Sequence, residues 1–189
     1  MTSIRKHFRW GSLALGFALA GTTLTADPIA DFGRWIARYE AAPVEARPGL
    51  EAKGVRLAKR RAPAMRRLIA TQPRLALQRA APRLAKLPES VARHLEQHAE
   101  GLAEYTVTVA CGGPGHRSCK VERALKLNGQ RLTPRWFGRR AHLGSKSGLP
   151  VHGIVLGGQM AIADEPARAL DAAEKTALGL PANQTVLSL

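Results

Sequence analysis

The sequence predicts an α+β protein in which short, proline-broken basic helices precede a small, mainly antiparallel β-sheet or barrel and a C-terminal helix. Three observations lead to this prediction. Apolar residues recur at helical spacing within residues 53–103, and prolines interrupt them. From Glu104 onward the apolar residues alternate with mostly polar ones at a period of two, which is typical of strands. Two short turns, Asn128-Gly129 and Gly157-Gly158, then predict hairpins in the part that follows.

The first 26 residues have the composition of a secretory signal peptide. Arg5, Lys6 and Arg9 precede an uncharged run over residues 10–24. Ala26 is the preferred last residue before cleavage, and Ala18-Leu19-Ala20 is an alternative site that would leave a very short apolar core. The run is shorter than the roughly 20 apolar residues that span a bilayer. We therefore expect a secreted or periplasmic protein that keeps no stable transmembrane segment once the signal is cleaved.

Residues 27–52 predict a short helix followed by a linker. Phe32, Trp35, Ile36 and Tyr39 share one face at helical spacing, so this helix should bury an aromatic stripe. The prolines and the glycine within residues 42–49 are typical of a linker.

Residues 53–103 predict three basic helical pieces. The first ends at Gln72, which precedes a proline, and the second covers residues 73–81. The third begins near Pro88, which suits a first helical position, and stops at Gly101. None of the three is long enough to be stable alone in water, so they must pack on each other or on a partner.

Residues 104–164 predict the small β domain, with about five short strands. The Asn128-Gly129 turn would set Leu125 opposite Leu132, and the second turn would pair Val155 with Met160. Residues 165–189 predict one last helix, over residues 166–178, and a tail.

The two cysteines, Cys111 and Cys119, flank a turn-rich segment between two predicted strands. In an exported protein this arrangement favours a disulfide that closes the hairpin. A zinc site that also uses His116 is the alternative, but the seven intervening residues do not fit the usual short zinc spacing.

No metal site, cofactor or catalytic centre is expected elsewhere. His94 and His98 lie four residues apart on the third predicted helix, but Leu95 follows the first histidine, so the zinc-peptidase pattern HExxH is absent. In the segment GSKSG over residues 144–148, Ser145 separates Gly144 from Lys146, whereas a phosphate loop needs the lysine directly after its last glycine. We therefore predict a flexible loop here. The alternative to a non-catalytic protein is an enzyme of unknown type that uses His142 or His152.

The chain is strongly basic, and its basic residues are unevenly distributed along the sequence. The chain carries +15, which falls to +12 without the three bases of the signal segment. Residues 53–93 contain twelve Lys and Arg and one acid, and residues 126–146 contain six and none. Such a surface attracts polyanions. The residues expected to contact an envelope polyanion or a partner protein are Arg60, Arg61, Arg66, Arg67, Arg135, Trp136, Arg139 and Arg140.

Nucleic acid is a less favoured partner. Phosphate contacts by Lys and Arg dominate such affinity, but residues 53–93 have no interleaved aromatic side chains to stack on bases. In the segment over residues 131–140, Trp136 and Phe137 would face opposite sides if it were a strand. One would then be core, and the other a surface aromatic beside arginines.

Residues 60–166 also contain three stretches that resemble a known group of proteins. The stretches RRAPAMRRLIATQPRLALQRAAP, LNGQRLTPRWFGRR and GLPVHGIVLGGQMAIADEP together resemble the N-terminal region of large secreted bacterial proteins, some of which continue into metallopeptidase modules. The resemblance implies a non-catalytic leader domain with an assembly or propeptide-like role, and it carries over no catalytic residue. It leaves open whether this chain is a stand-alone relative or the leader of a larger protein.

Overall fold

The computed structural model describes residues 27–83, 86–112 and 119–188. The predicted signal peptide and His116 lie outside these ranges. Within them the predicted α+β class is confirmed, since helices precede a five-stranded barrel and a short helix follows it. No helix of the described ranges is both long and apolar enough to cross a bilayer.

Four helices build the N-terminal half. They are α1 (Pro28–Ala41), α2 (Pro48–Thr71), α3 (Pro73–Gln78) and α4 (Glu89–Ala92), with a 3-10 turn over Val44–Ala46. Asp27 caps α1 by accepting a hydrogen bond from the N–H of Ile29 at 3.0 Å. Helix α2 begins earlier than predicted, at Pro48, because a proline is well placed in a first turn.

The predicted aromatic stripe of α1 is confirmed as the core of the helical half. Phe32, Trp35, Ile36 and Tyr39 are all buried, and they pack with residues of α2 and α4. Gly54 of α2 makes this packing close, since a Cβ there would lie 2.2 Å from the Trp35 ring.

The third predicted helix is wrong beyond its first turn. Helix α4 ends at Ala92, and strand β1 begins at Gln97, so His94 and His98 do not share a helix. The first half of β1 pairs with a distant strand, placing Gln97 opposite Val155. This long-range pairing overrides the local helical pattern.

The barrel contains five strands: β1 (Gln97–Cys111), β2 (Cys119–Leu127), β3 (Gln130–Arg135), β4 (Lys146–Leu156) and β5 (Gln159–Ile162). Neighbours follow the order β1-β2-β3-β5-β4, and β4 pairs with β1 to close the barrel. Only β3 and β5 are parallel. A five-stranded Greek-key barrel has the architecture of the OB fold. Because such folds carry many unrelated functions, function must be argued from the site.

Both predicted hairpin turns are confirmed. Leu125 pairs with Leu132 across Asn128-Gly129, where both turn residues have positive φ, 50° and 77°. The β4–β5 hairpin likewise pairs Val155 with Met160. The segment GSKSG is not a free loop, because Ser145 Oγ accepts a hydrogen bond from the N–H of Val107 at 2.9 Å and β4 starts at the next residue.

The outer ends of β1 and β2 form a ribbon beyond the barrel. The predicted disulfide is confirmed there, joining Cys111 and Cys119, which are opposite each other in the register. Val109 and Val121 are paired in this ribbon and are both exposed. A disulfide is typical of oxidising compartments.

The C-terminal segment is less helical than predicted. Helix α5 covers only Ala172–Ala177, where Asp171 and Glu174 form a capping box. The preceding residues form strand β6 (Arg168–Ala169), which pairs with β7 (Leu187–Ser188). The predicted single helix over residues 166–178 is thus replaced by a strand and a short helix.

Candidate functional site

One line of bases runs along the exposed side of α2. Lys53, Arg60 and Arg67 are spaced seven residues apart, so successive bases lie two turns apart on nearly the same face. All three are exposed. At 1.5 Å per residue they extend over about 21 Å. We call these three residues the basic track.

Arg61 does not belong to this surface, which corrects the sequence-based expectation. Its side chain is buried and forms an ion pair with the buried carboxylate of Glu96. Nη2 donates to Glu96 Oε1 at 2.8 Å and to the carbonyl of Arg79 at 2.7 Å. Glu96 Oε1 also accepts from the N–H of Ala81 at 2.7 Å. Arg61 therefore joins α2 to the segments on either side of α4.

A cleft opens one turn beyond Arg67, between the end of α2 and the barrel. It has a volume of about 370 Å³. Its lining residues come from the α2–α3 junction, from β2 and β3, and from the turn after β3: Ala70, Thr71, Pro73, Arg123, Pro134, Arg135, Trp136, Ala141 and His142. No carboxylate is among these residues. We call this space the basic cleft.

The two arginines of the basic cleft are held by the barrel. Arg123 lies on β2 two residues before Leu125, which pairs with Leu132, and it lines the cleft together with Pro134 and Arg135 of β3. Arg135 ends β3, and its Nε donates to Gln159 Oε1 at 3.0 Å. Neither guanidinium forms an ion pair with any described residue.

Trp136 lines the basic cleft but is not a free surface aromatic. Its ring packs edge-on against Tyr105, with 5.3 Å between ring centroids, and joins the barrel core. The Arg140 guanidinium lies 5.1 Å above the same ring. Phe137 is half-buried. The sequence-based expectation of an exposed aromatic among arginines is therefore corrected.

Arg140 is also a structural residue, against expectation. It is buried, and its Nη2 donates to the carbonyl of Pro150 at 2.6 Å. Burial lowers the pKa of its guanidinium, which nearby Asp164 partly opposes. Arg139 is exposed and lies 3.9 Å from an Asp164 oxygen. Arg140 therefore holds the 3-10 turn Gly138–His142 against the segment after β5, whereas Arg139 stays at the surface.

Arg66 faces a different flank of α2 from the basic track. It is exposed, but its Cδ lies 3.1 Å from the position that a Cβ would take at Gly157. Its side chain thus lies against the β4–β5 turn, where it covers barrel backbone. Of the eight predicted contact residues, the structure brings Arg60, Arg67, Arg135 and Trp136 to the track and the cleft.

A second cavity, of about 260 Å³, contains His152 and His98. Four charged residues beside it form a closed ring of ion pairs, in which Arg168 joins Glu100 at 2.9 Å and Glu174 at 2.6 Å, and Arg83 contacts the same two acids. No serine, threonine or cysteine is among its described lining residues. The described lining therefore offers imidazole bases without an adjacent hydroxyl or thiol nucleophile.

The ring shifts the ionisation of its members. The hydrogen bond from Arg168 holds the pKa of Glu174 below its ordinary value. Burial of Glu100 opposes its ionisation, but the hydrogen bond from Arg168 and the charge of Arg83 outweigh it, so its pKa is also lowered. Burial lowers the pKa of His152, which favours a neutral imidazole.

Comparison of the chain with protein-family models, with curated proteins and with solved structures finds no match. Among the described residues, no group of three or more His, Cys, Asp or Glu could hold a metal ion. Sequence reasoning did not single out Arg123. Its alternation with Leu125 in β2 is the signal that could have placed it at the mouth of the barrel.

Proposed function

We propose that this protein is an exported, non-catalytic binding protein whose ligand is an anionic polymer of the cell envelope or the extracellular space. The observation that carries the proposal is the continuity of the basic track with the basic cleft. Three exposed bases along about 21 Å of helix lead to a cleft whose described lining contains two further arginines and no carboxylate.

Electrostatics supports a polymer over a small ligand on this surface. Bases of one sign along a line raise the local concentration of a polyanion, and each contact displaces counterions. The track lies on a helix whose opposite side is anchored by buried Met65 and Ile69, so its geometry is fixed before binding.

Export is supported by the composition of residues 1–26 and by the disulfide between Cys111 and Cys119. The resemblance over residues 60–166 supports an assembly or propeptide-like role, in which the polymer or a partner protein is bound without being changed. Secretion or a periplasmic location would remove the nucleoid as the main competing polyanion.

The rival proposal is nucleic-acid binding by the same bases. Base stacking needs exposed aromatic faces, and here Trp136 is packed between Tyr105 and Arg140. Without an exposed aromatic face at Trp136, the surface would bind through its basic side chains alone. Any anionic backbone can supply the matching charges, so the bases of a nucleic acid would add nothing.

The test is fluorescence anisotropy of the exported chain with labelled polyphosphate and with labelled double-stranded DNA. The variant Lys53→Gln/Arg60→Gln/Arg67→Gln should bind polyphosphate roughly 100-fold more weakly at about 0.1 M salt. A matched variant neutralises three exposed bases outside the track and the cleft, Lys86, Arg93 and Lys146. Its affinity for polyphosphate should fall much less.

Equal reductions in affinity for the two triple variants would show that net charge, and not the track, binds the polymer. Tighter binding of DNA than of polyphosphate at physiological salt would favour the nucleic-acid proposal. If neither polymer binds even at low salt, the surface is a solvated basic helix face and the proposal fails.

A further inference from the structure

The basic cleft has the donor set of a phosphate site. We propose that it binds a phosphate group at the end of the basic track, so that the protein selects phosphate polymers over carboxylate polymers. This inference rests on the proposed function and names the chemistry of its ligand.

The donors suit a tetrahedral oxyanion. Arg123 and Arg135 each offer a planar fork of N–H groups, and His142 adds an exposed imidazole. A guanidinium fork matches a phosphate in bidentate geometry. At a single centre, a planar carboxylate presents two oxygens, whereas a tetrahedral phosphate presents three or more in different directions and can accept from all three side chains.

Arg135 is held in place before any ligand arrives. Its Nε donates to Gln159 Oε1 at 3.0 Å, and its two Nη groups make no hydrogen bond to a described residue. Gln159 starts β5, which pairs with β3 in parallel, so the backbone fixes both partners. Gln159 is therefore a positioning residue that leaves the outer edge of the guanidinium free for an anion.

Two acids on the adjoining segments, Glu122 and Asp164, are engaged in other contacts. Glu122 precedes Arg123 in β2, so its side chain faces the opposite side of the strand, where it pairs with Lys120. Asp164 accepts a hydrogen bond from the N–H of Arg140 at 3.1 Å. No described carboxylate thus neutralises the two arginines of the cleft, and their charge remains available to a ligand.

The test uses two small anions of similar charge that are too short to follow the basic track, pyrophosphate and citrate. Each is titrated into the exported chain by calorimetry, with Trp136 fluorescence as a second readout. We expect pyrophosphate to bind at least roughly tenfold more tightly than citrate. Arg123→Gln and Arg135→Gln should each weaken it roughly tenfold or more, because each removes charge-assisted hydrogen bonds.

Arg131→Gln is the matched control. Arg131 is an exposed base of the same strand, β3, and does not line the cleft. It should change pyrophosphate affinity less than about twofold and leave the thermal midpoint unchanged. The thermal midpoint of Arg123→Gln should match wild type because Arg123 is exposed, and that of Arg135→Gln should fall by no more than about 6 °C because one described hydrogen bond is lost.

Equal affinity for citrate and pyrophosphate, or an equal weakening in Arg131→Gln, would overturn the inference. Absence of pyrophosphate binding, with polyphosphate still bound through the basic track, would overturn it and leave the proposed function standing. If polyphosphate is not bound either, both fail.

Discussion

The buried ion pair between Arg61 and Glu96 allows the sharpest test of how the helical half is held. In Arg61→Met the Glu96 carboxylate stays buried without either hydrogen bond from the guanidinium, retaining only that from the N–H of Ala81. The carbonyl of Arg79 is also left without its donor.

The magnitude follows from these interactions. Two charge-assisted hydrogen bonds contribute about 1.5–3 kcal/mol each, and breaking one side of a buried pair typically costs about 3–5 kcal/mol. For a chain of this size, that destabilisation corresponds to a fall in Tm of about 6–20 °C. The double variant Arg61→Met/Glu96→Leu leaves no uncompensated charge, so it should be more stable than Arg61→Met alone.

The assay is urea unfolding followed by far-ultraviolet circular dichroism. Arg60→Met is the matched control, because it makes the same change at an exposed position of the same helix and should stay within about 0.5 kcal/mol of wild type. A destabilisation below about 1 kcal/mol in Arg61→Met would refute the reasoning. So would a double variant less stable than both single variants.

Three further predictions concern packing, the disulfide and pH. Gly54→Ala should cost about 1–3 kcal/mol in urea unfolding, because its Cβ would overlap the Trp35 ring. Replacing both Cys111 and Cys119 by Ser should cost at most about 2–3 kcal/mol, with faster amide exchange confined to the ribbon. Since the pKa of Glu174 is lower when folded, its stabilisation is present above its ordinary value of 4.5 and lost as pH falls through the folded value. Stability should thus fall on acidification, and less steeply in Glu174→Gln.

Each of these has a clear contrary result. Unchanged stability of the glycine variant would mean that the α1–α2 packing is loose. Two reactive thiols in folded exported protein would contradict the disulfide. Identical acid profiles for the wild type and the glutamine variant would mean that the ion pairs of the ring do not stabilise the folded state.

Local signals predicted the elements whose structure is decided locally. The aromatic stripe of α1 and the turn at Asn128-Gly129 depend on residues within a few positions, and both are confirmed. The helix predicted beyond Ala92 is wrong because residues 97–103 pair with β4, about fifty residues away. Closure of the barrel depends on that same long-range pairing, so its strand order could not be predicted.

The site was predicted only in part, for a similar reason. Arg60 and Arg67 are exposed as expected, whereas Arg61 is buried because a partner 35 residues away neutralises it. A signal was present, since Arg61 shares the stripe of Ala58 and Met65 on α2. Charged side chains on an apolar stripe thus point to buried ion pairs as well as to surfaces.

The most direct test of the central claim is the salt dependence of polyphosphate binding. If Lys53, Arg60 and Arg67 bind the polymer, their neutralisation should reduce the slope of log K against log salt by about 2–3, since each neutralised phosphate contributes about 0.7–0.9 to that slope. The matched variant at Lys86, Arg93 and Lys146 should keep the wild-type slope. An unchanged slope in the track variant would contradict the account.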